Sequence, residues 1–220
     1  MRSLIVCSTL IFALGHQAAF AAPTNERVSV VFGKGCNIAV TLPHTRHGGI
    51  GNGGDPDSQE GGMEVNPLPA SWKSNMGRMY FSLECMNKND PNLMQPSGVL
   101  NSTTNTWGKD PDYMRSYLTT STEAYERNKA EEIIETTQVY DIKAVNGHGW
   151  ADTYVYLIGD EQYRQRSMSF CIFHDSKALC GNGKVAYVNE PQGDLTQHAI
   201  EILRTIEFLP DVPAVEPVKQ

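Results

Sequence analysis

Residues 166–188 read RSMSFCIFHDSKALCGNGKVAYV, and this stretch decides the fold. Met168, Phe170 and Ile172 fall on one face of a strand over 166–173, because side chains alternate with a period of two. A second strand follows over 178–188, interrupted by Gly181-Asn182-Gly183. His174-Asp175-Ser176-Lys177 is the turn between them. A turn centred between Asp175 and Ser176 sets Cys171 directly opposite Cys180. Cross-strand neighbours have Cβ atoms about 4.5–5.5 Å apart, close to disulfide reach.

Upstream of this hairpin the pattern continues. Residues 150–158 form a strand after Gly147-His148-Gly149, and 133–145 form another, with Tyr140, Ile142 and Ala144 on one face. Strands joined by short turns pair antiparallel. Downstream, Leu195, His198, Ala199, Ile202, Leu203 and Ile206 recur at helical spacing, with Asp194 and Gln197 as a capping box. This predicts an amphipathic C-terminal helix lying on the sheet, with His198 buried in its apolar stripe. Toward the N-terminus, 28–32 and 37–42 make a hairpin around Gly33-Lys34-Gly35, and 79–85 alternates as a strand. Asp110-Pro111 starts a helix whose apolar face carries Tyr113, Met114, Tyr117 and Leu118. Residues 119–122 weaken it, and 123–132 resume it. Residues 44–70 and 87–98 are rich in Gly, Pro, Asp and Asn and read as loops. The expectation is an α+β fold, a mainly antiparallel sheet with helices packed on it. Its organisation is a single domain over 22–209 with a long Gly-rich loop at 44–70, then a disordered tail at 210–220 marked by Pro210, Pro213 and Pro217.

The chain has 220 residues, 40% hydrophobic and 20% charged, with net charge -7. That is globular composition, and its sign argues against nucleic acid and anionic membrane as partners. Residues 1–21 read as a secretory signal peptide. Arg2 supplies the positive start, residues 4–14 are apolar apart from Ser8 and Thr9, and Ala19-Phe20-Ala21 fits signal peptidase. The apolar run is too short to span about 30 Å of hydrocarbon, so stable membrane insertion is not expected. Cleavage after Ala21 removes Cys7 and Arg2. It leaves a chain one unit more negative with an even set of cysteines: Cys36, Cys85, Cys171 and Cys180. In an oxidising compartment such a set makes two disulfides, with three pairings open. If the hairpin pairs Cys171 with Cys180, Cys36 is left to Cys85.

Few residues point to chemistry. A Cys-His nucleophile would need a free thiolate, which an oxidising compartment disfavours. His44-x-x-His47 lacks an acidic third ligand placed by sequence, so zinc is not expected. Residues 55–60, DPDSQE, carry oxygen ligands at alternate positions but lack the Gly and Glu that complete a calcium loop. No cofactor fingerprint, phosphate loop or nucleophile elbow occurs. The rival to a non-catalytic reading is an exported hydrolase with His148 or His174 as base.

The last third, through Phe170-Cys171-Ile172-Phe173-His174, then Leu179-Cys180-Gly181-Asn182-Gly183-Lys184-Val185 and Ile202-Leu203-Arg204-Thr205-Ile206-Glu207-Phe208, resembles periplasmic immunity proteins that neutralise type VI secretion effectors. The same ending is similar to PsbP-like α+β domains. The resemblance spans 150–209 and carries packing motifs only, so no functional residue comes with it. It implies a periplasmic protein that binds a toxic partner, without a cofactor. An acidic chain suits a basic toxin, and Asp55, Asp57, Glu60 and Glu64 are the expected partner-binding residues.

Overall fold

The computed structural model describes residues 24–210 apart from 34, 56, 156, 158 and 159. The expected signal peptide at 1–21 lies outside the described residues, as does the expected tail at 210–220 apart from Pro210, whose carbonyl accepts Asn37 at 3.0 Å. Among the described residues there are twelve strands and three α-helices. β1 (Asn25–Val31), β2 (Asn37–Pro43) and β12 (Glu207–Leu209) form a small antiparallel sheet in the order β1-β2-β12.

The main sheet has seven antiparallel strands built from two meanders. The first contains β3 (Gly49–Gly51), β4 (Glu60–Val65) and β5 (Met79–Asn87). The chain then leaves the sheet through the hairpin β6 (Gly98–Asn101) and β7 (Thr106–Lys109), and through α1 (Pro111–Leu118) and α2 (Ala124–Thr136). It re-enters at the far edge as β8 (Gln138–Lys143) and walks back through β9 (His148–Val155), β10 (Gln165–His174) and β11 (Lys177–Tyr187). β11 closes against β5, giving the order β3-β4-β5-β11-β10-β9-β8. The α+β class and the antiparallel sheet are as expected.

One face of this sheet is the core. Met63, Met79, Phe81, Leu83, Met168, Phe170, Ile172 and Leu179 are at most 3% exposed. They meet α3 (Thr196–Leu203) and the inner side of the small sheet. Phe81 and Phe170 cross edge to face at 5.8 Å between centroids. Each such side chain contributes about 1.5–3 kcal/mol by leaving water. α3 lies on the sheet as its apolar spacing predicts, burying Ala199, Ile200, Ile202 and Leu203.

Both disulfides form. Cys171 faces Cys180 in register across the β10–β11 hairpin, with Cα atoms 4.0 Å apart. The turn is Asp175-Ser176, and Asp175 holds a positive φ of 48°, which Asp tolerates better than most residues. Cys36–Cys85 joins the small sheet to the main one with Cα atoms 6.5 Å apart.

Four expectations need correction. The Gly-rich loop 44–70 contains β3, β4 and a 3-10 turn at Ala70–Trp72. Glycine is there because neighbouring rings occupy the space: a Cβ at Gly61 would lie 2.3 Å from Phe32, and one at Gly62 would lie 2.8 Å from the Tyr80 ring. The apolar run at 133–145 begins inside α2, where Ile133 and Ile134 pack toward α1, and the strand starts only at Gln138. The C-terminal helix stops at Leu203, and Glu207–Leu209 leaves it to pair with β2 as β12. Asp194 does not cap as a box: one carboxylate oxygen accepts the Thr196 N–H at 2.8 Å and the other accepts Arg166 at 2.6 Å. The expected cap on α1 does form, with Asp110 accepting the Tyr113 N–H at 2.9 Å.

Candidate functional site

The other face of the seven-stranded sheet is built in transverse rows. Register places Glu84, Cys180, Cys171 and Trp150 in one row across β5, β11, β10 and β9. That row is roofed by Leu93, Met94 and Trp107 from the excursion between β5 and α1. Trp107 packs 6.5 Å from Trp150 and 6.3 Å from Phe173, centroid to centroid. The next row is Ser82, Asn182, Ser169 and Asp152, and all four are polar. The row beyond it pairs Lys184 with Ser167 and Ser167 with Tyr154.

These last two rows are the floor of an open trough. Its middle encloses about 780 Å³ among Arg78, Tyr80, Ser82, Asn182, Lys184 and Tyr187. One end holds about 370 Å³ beside Glu60, Glu84, Asn92 and Met94. The other end holds about 260 Å³ beside Ser97, Tyr117, Tyr125 and Asp152. Ser82, Met94 and Asn182 line both the middle and the first end, while Tyr154 and Ser169 line both the middle and the second.

The end by Asp152 has the most perturbed chemistry. Asp152 is 3% exposed and no cation among the described residues pairs with it. Its carboxylate accepts the Ser97 N–H at 3.0 Å. Burial pushes its pKa up to about 6, against the Ser97 hydroxyl and the Ser97 and Ser169 N–H groups, which favour the ionised form. Burial also raises the Tyr117 phenol, and the nearby Asp152 carboxylate adds to that rise while Ser97 opposes it.

The four acidic residues singled out by sequence fall in different settings. Asp55 and Asp57 sit in an exposed turn, where the Asp55 carboxylate accepts the Asp57 N–H at 3.0 Å. Glu60 opens β4 directly opposite Glu84, a like-charge pair at the rim of the trough. Glu64 instead accepts Arg78 at 3.0 Å and Asn66 at 3.1 Å, so its charge is answered within the chain.

The histidines hold structure. His148 begins β9, two residues before the expected strand start at 150, and donates from Nε2 to Asp141 at 2.7 Å. Asp141 also accepts the Trp107 N–H at 2.9 Å. Burial alone would raise the Asp141 carboxyl, but the Trp107 N–H and His148 outweigh it and hold the group below its usual range. His174 donates from Nδ1 to the Asn146 carbonyl at 2.6 Å and stacks on Phe208. His148 and His174 line one shallow depression with Phe173 and the exposed Asp175, and among the described residues no hydroxyl or thiol lines it with them. Cys36, Cys85, Cys171 and Cys180 are all bonded as disulfides, which removes the Cys-His nucleophile. His198 corrects the expectation of a buried residue: a third of its side chain is exposed, and it stacks on Trp72 at 4.2 Å because the 3-10 turn brings that ring over α3. Among the described residues no three His, Cys, Asp or Glu side chains converge as a metal site.

Sequence reasoning missed Tyr80, Ser82, Ser169, Asn182, Asp152 and Tyr154. The signal was the polar half of each strand's alternation. Only register turns those halves into one surface.

No protein-family model matches the chain, and no curated protein matches it. Among solved structures, the solution structure of cyanobacterial PsbP (CyanoP) from Synechocystis sp. PCC 6803 is similar at 12% identity, covering 89% of this chain and 99% of that one, with a TM-score of 0.37. At that score the likeness carries neither a fold assignment nor a function. The two disulfides fit an exported protein. Among the described residues no helix is long and apolar enough to cross a membrane.

Proposed function

We propose that this chain is an exported periplasmic binding protein that neutralises a toxic secretion effector by direct contact, with the trough as its contact surface. The observation that carries this reading is a polar row across the sheet, Ser82, Asn182 and Ser169 open in the trough and Asp152 buried at its end, on a sheet face that is otherwise roofed. A row of small polar residues adds little to a core. Flanked by Tyr80, Tyr154, Tyr187 and Arg78, it has the Tyr, Ser, Asn and Arg composition that antibody paratopes use to bind proteins. The disulfide frame suits the periplasm. The acidic balance, and the charges of Asp55, Asp57, Glu60 and Glu84, which pair with no cation among the described residues, suit a basic partner. The resemblance of residues 150–209 to periplasmic immunity proteins points the same way.

The experiment is affinity purification of the chain from periplasm after expression at full length. N-terminal sequencing of the purified protein is expected to begin at Ala22, and a cytoplasmic, uncleaved chain overturns export. A basic protein is expected to co-purify, and Asn182→Arg, which fills the trough floor from an exposed position, is expected to abolish its retention. Retention unchanged by Asn182→Arg overturns the trough as the contact surface. Neutralising Asp55, Asp57, Glu60 and Glu64 together is expected to slow association about tenfold at low salt and less at physiological salt. An association rate that stays unchanged at low ionic strength removes these four from steering.

A further inference from the structure

We infer that the cavity at the Asp152 end of the trough binds an organic ammonium group. Three aromatic rings from three different elements line it: Tyr117 from α1, Tyr125 from α2 and Tyr154 from β9. Two carboxylates, Asp152 and Glu126, line it as well. Aromatic faces attract cations through the ring quadrupole, and a cage of rings with an acidic floor is how quaternary and primary ammonium groups are held. Among the described residues no lysine or arginine lines this cavity. The nearby cations are engaged elsewhere: Lys109 with the Ile134 and Thr137 carbonyls, Arg127 with the Ser121 and Thr122 carbonyls, and Arg115 with Glu131 and Asp112. At about 260 Å³ the space is smaller than a drug-sized site and suits a headgroup or a single side chain.

Asp152 is the centre of this site. A carboxylate that is 3% exposed and pairs with no cation among the described residues is costly in its ionised form, and a bound ammonium relieves that cost. Its fixed N–H donors from Ser97 and Ser169 hold the carboxylate in place without neutralising it. The groups that face it are Tyr117 from α1, Tyr125 and Glu126 from α2, Ser97 from the segment before β6, and Tyr154 from its own strand. None of these supplies a positive charge. The rise of the Asp152 pKa to about 6 agrees with the geometry, and binding is therefore expected to weaken as pH falls from 7.5 to 5.

The ammonium has two possible sources, a free amine or a lysine side chain of the partner proposed above. The second source rests on that proposed function. The probes are butylammonium chloride, its uncharged analogue butanol, and N-acetyl-lysine amide, titrated into the mature protein by NMR. Butylammonium is expected to shift the Tyr117, Tyr125 and Tyr154 ring resonances and to bind at least about tenfold more tightly than butanol. Asp152→Asn, close in shape, is expected to abolish that preference. Tyr154→Leu keeps the carboxylate and is expected to weaken butylammonium about tenfold with little change in butanol. Tighter binding of N-acetyl-lysine amide than butylammonium assigns the site to a protein side chain, and the reverse order assigns it to a free amine. Equal affinity for butylammonium and butanol overturns the inference, as does a preference that survives Asp152→Asn. Butylammonium binding without any retained partner leaves this inference standing and removes the proposed function. A retained partner without butylammonium binding does the reverse.

Discussion

The two faces of the seven-stranded sheet are written on alternate residues of the same strands, and they differ in kind. On β5 the inward residues are Met79, Phe81, Leu83 and Cys85, and the outward ones include Tyr80, Ser82 and Glu84. On β10 Met168, Phe170 and Ile172 point in, and Ser167 and Ser169 point out. The inner face is closed by α3 and the small sheet, so its side chains are matched to fixed neighbours and hold the fold. The outer face is closed along the Cys171–Cys180 row, under Trp107, and at Asp152, beside Tyr117 of α1 and Tyr125 of α2. Two residues further along each strand it opens onto Ser82, Asn182 and Ser169. A sheet can thus keep stability and recognition on opposite faces of the same strands, because alternation lets each face be specified independently.

The largest expected effect breaks the inner face. Phe170→Ala leaves a void among Phe81, Met168 and Gly181 and is expected to cost about 3–5 kcal/mol in chemical denaturation. Ser169→Ala, its outward neighbour, is expected to cost well under that, about 1 kcal/mol or less. Similar losses for the two variants would end the division of labour.

The disulfides test the same contrast at the next magnitude. Cys36–Cys85 closes a sequence separation of 49 and ties two sheets together, while Cys171–Cys180 closes a separation of only 9. Chain entropy gives about 4 kcal/mol for the first and about 2.5 kcal/mol for the second. Paired Cys→Ala variants are therefore expected to rank in that order by melting temperature. A non-reducing peptide map is expected to link the same two pairs, and four free thiols would contradict both.

The third test sharpens the outer face through pH. Asp152 ionises near 6 when folded and at its ordinary 3.8 when unfolded, because burial disfavours the charge. The folded chain then holds more protons between these values, so the contribution of Asp152 to stability falls as pH rises from about 4 to 7. Asp152→Asn removes this loss. Its stability relative to wild type is expected to improve by roughly 2 kcal/mol between pH 4.5 and 7.5. A difference that is flat with pH would mean that Asp152 is not the buried titrating group. The smallest effect is at the trough rim. Glu84→Gln relieves the like-charge pair with Glu60 and is expected to add a few tenths of a kcal/mol, more at low salt, in the same denaturation assay.

Much of the fold was legible in the sequence because its signals are local. Alternation marks β5 and β10, the Asp175-Ser176 turn sets the hairpin register, and Asp110-Pro111 marks the start of α1. The misread segments are those where tertiary contact overrides local preference. Gly61 and Gly62 look like loop residues, and only the Phe32 and Tyr80 rings that fill their missing side chains explain a strand there. Ile133 and Ile134 look like strand residues, and only packing among Met114, Leu118 and Ala130 makes them helical. Residues 207–209 continue a helical pattern until β2 offers an unpaired edge.

The candidate site was hardly legible at all. Asp55, Asp57, Glu60 and Glu64 stand out because they are close in sequence, yet Arg78 neutralises Glu64, a pairing made through the β4–β5 hairpin. Ser82, Asn182, Ser169 and Asp152 are unremarked singly and lie far apart in the chain. By itself the sequence determined which residues alternate, where the chain turns and which cysteines remain to pair, since each depends on neighbours a few residues away. The tertiary structure decided that the second meander returns to place β11 against β5. That single pairing joins Ser82 to Asn182, and through Ser169 to Asp152, so the polar row exists only once the long-range register is set.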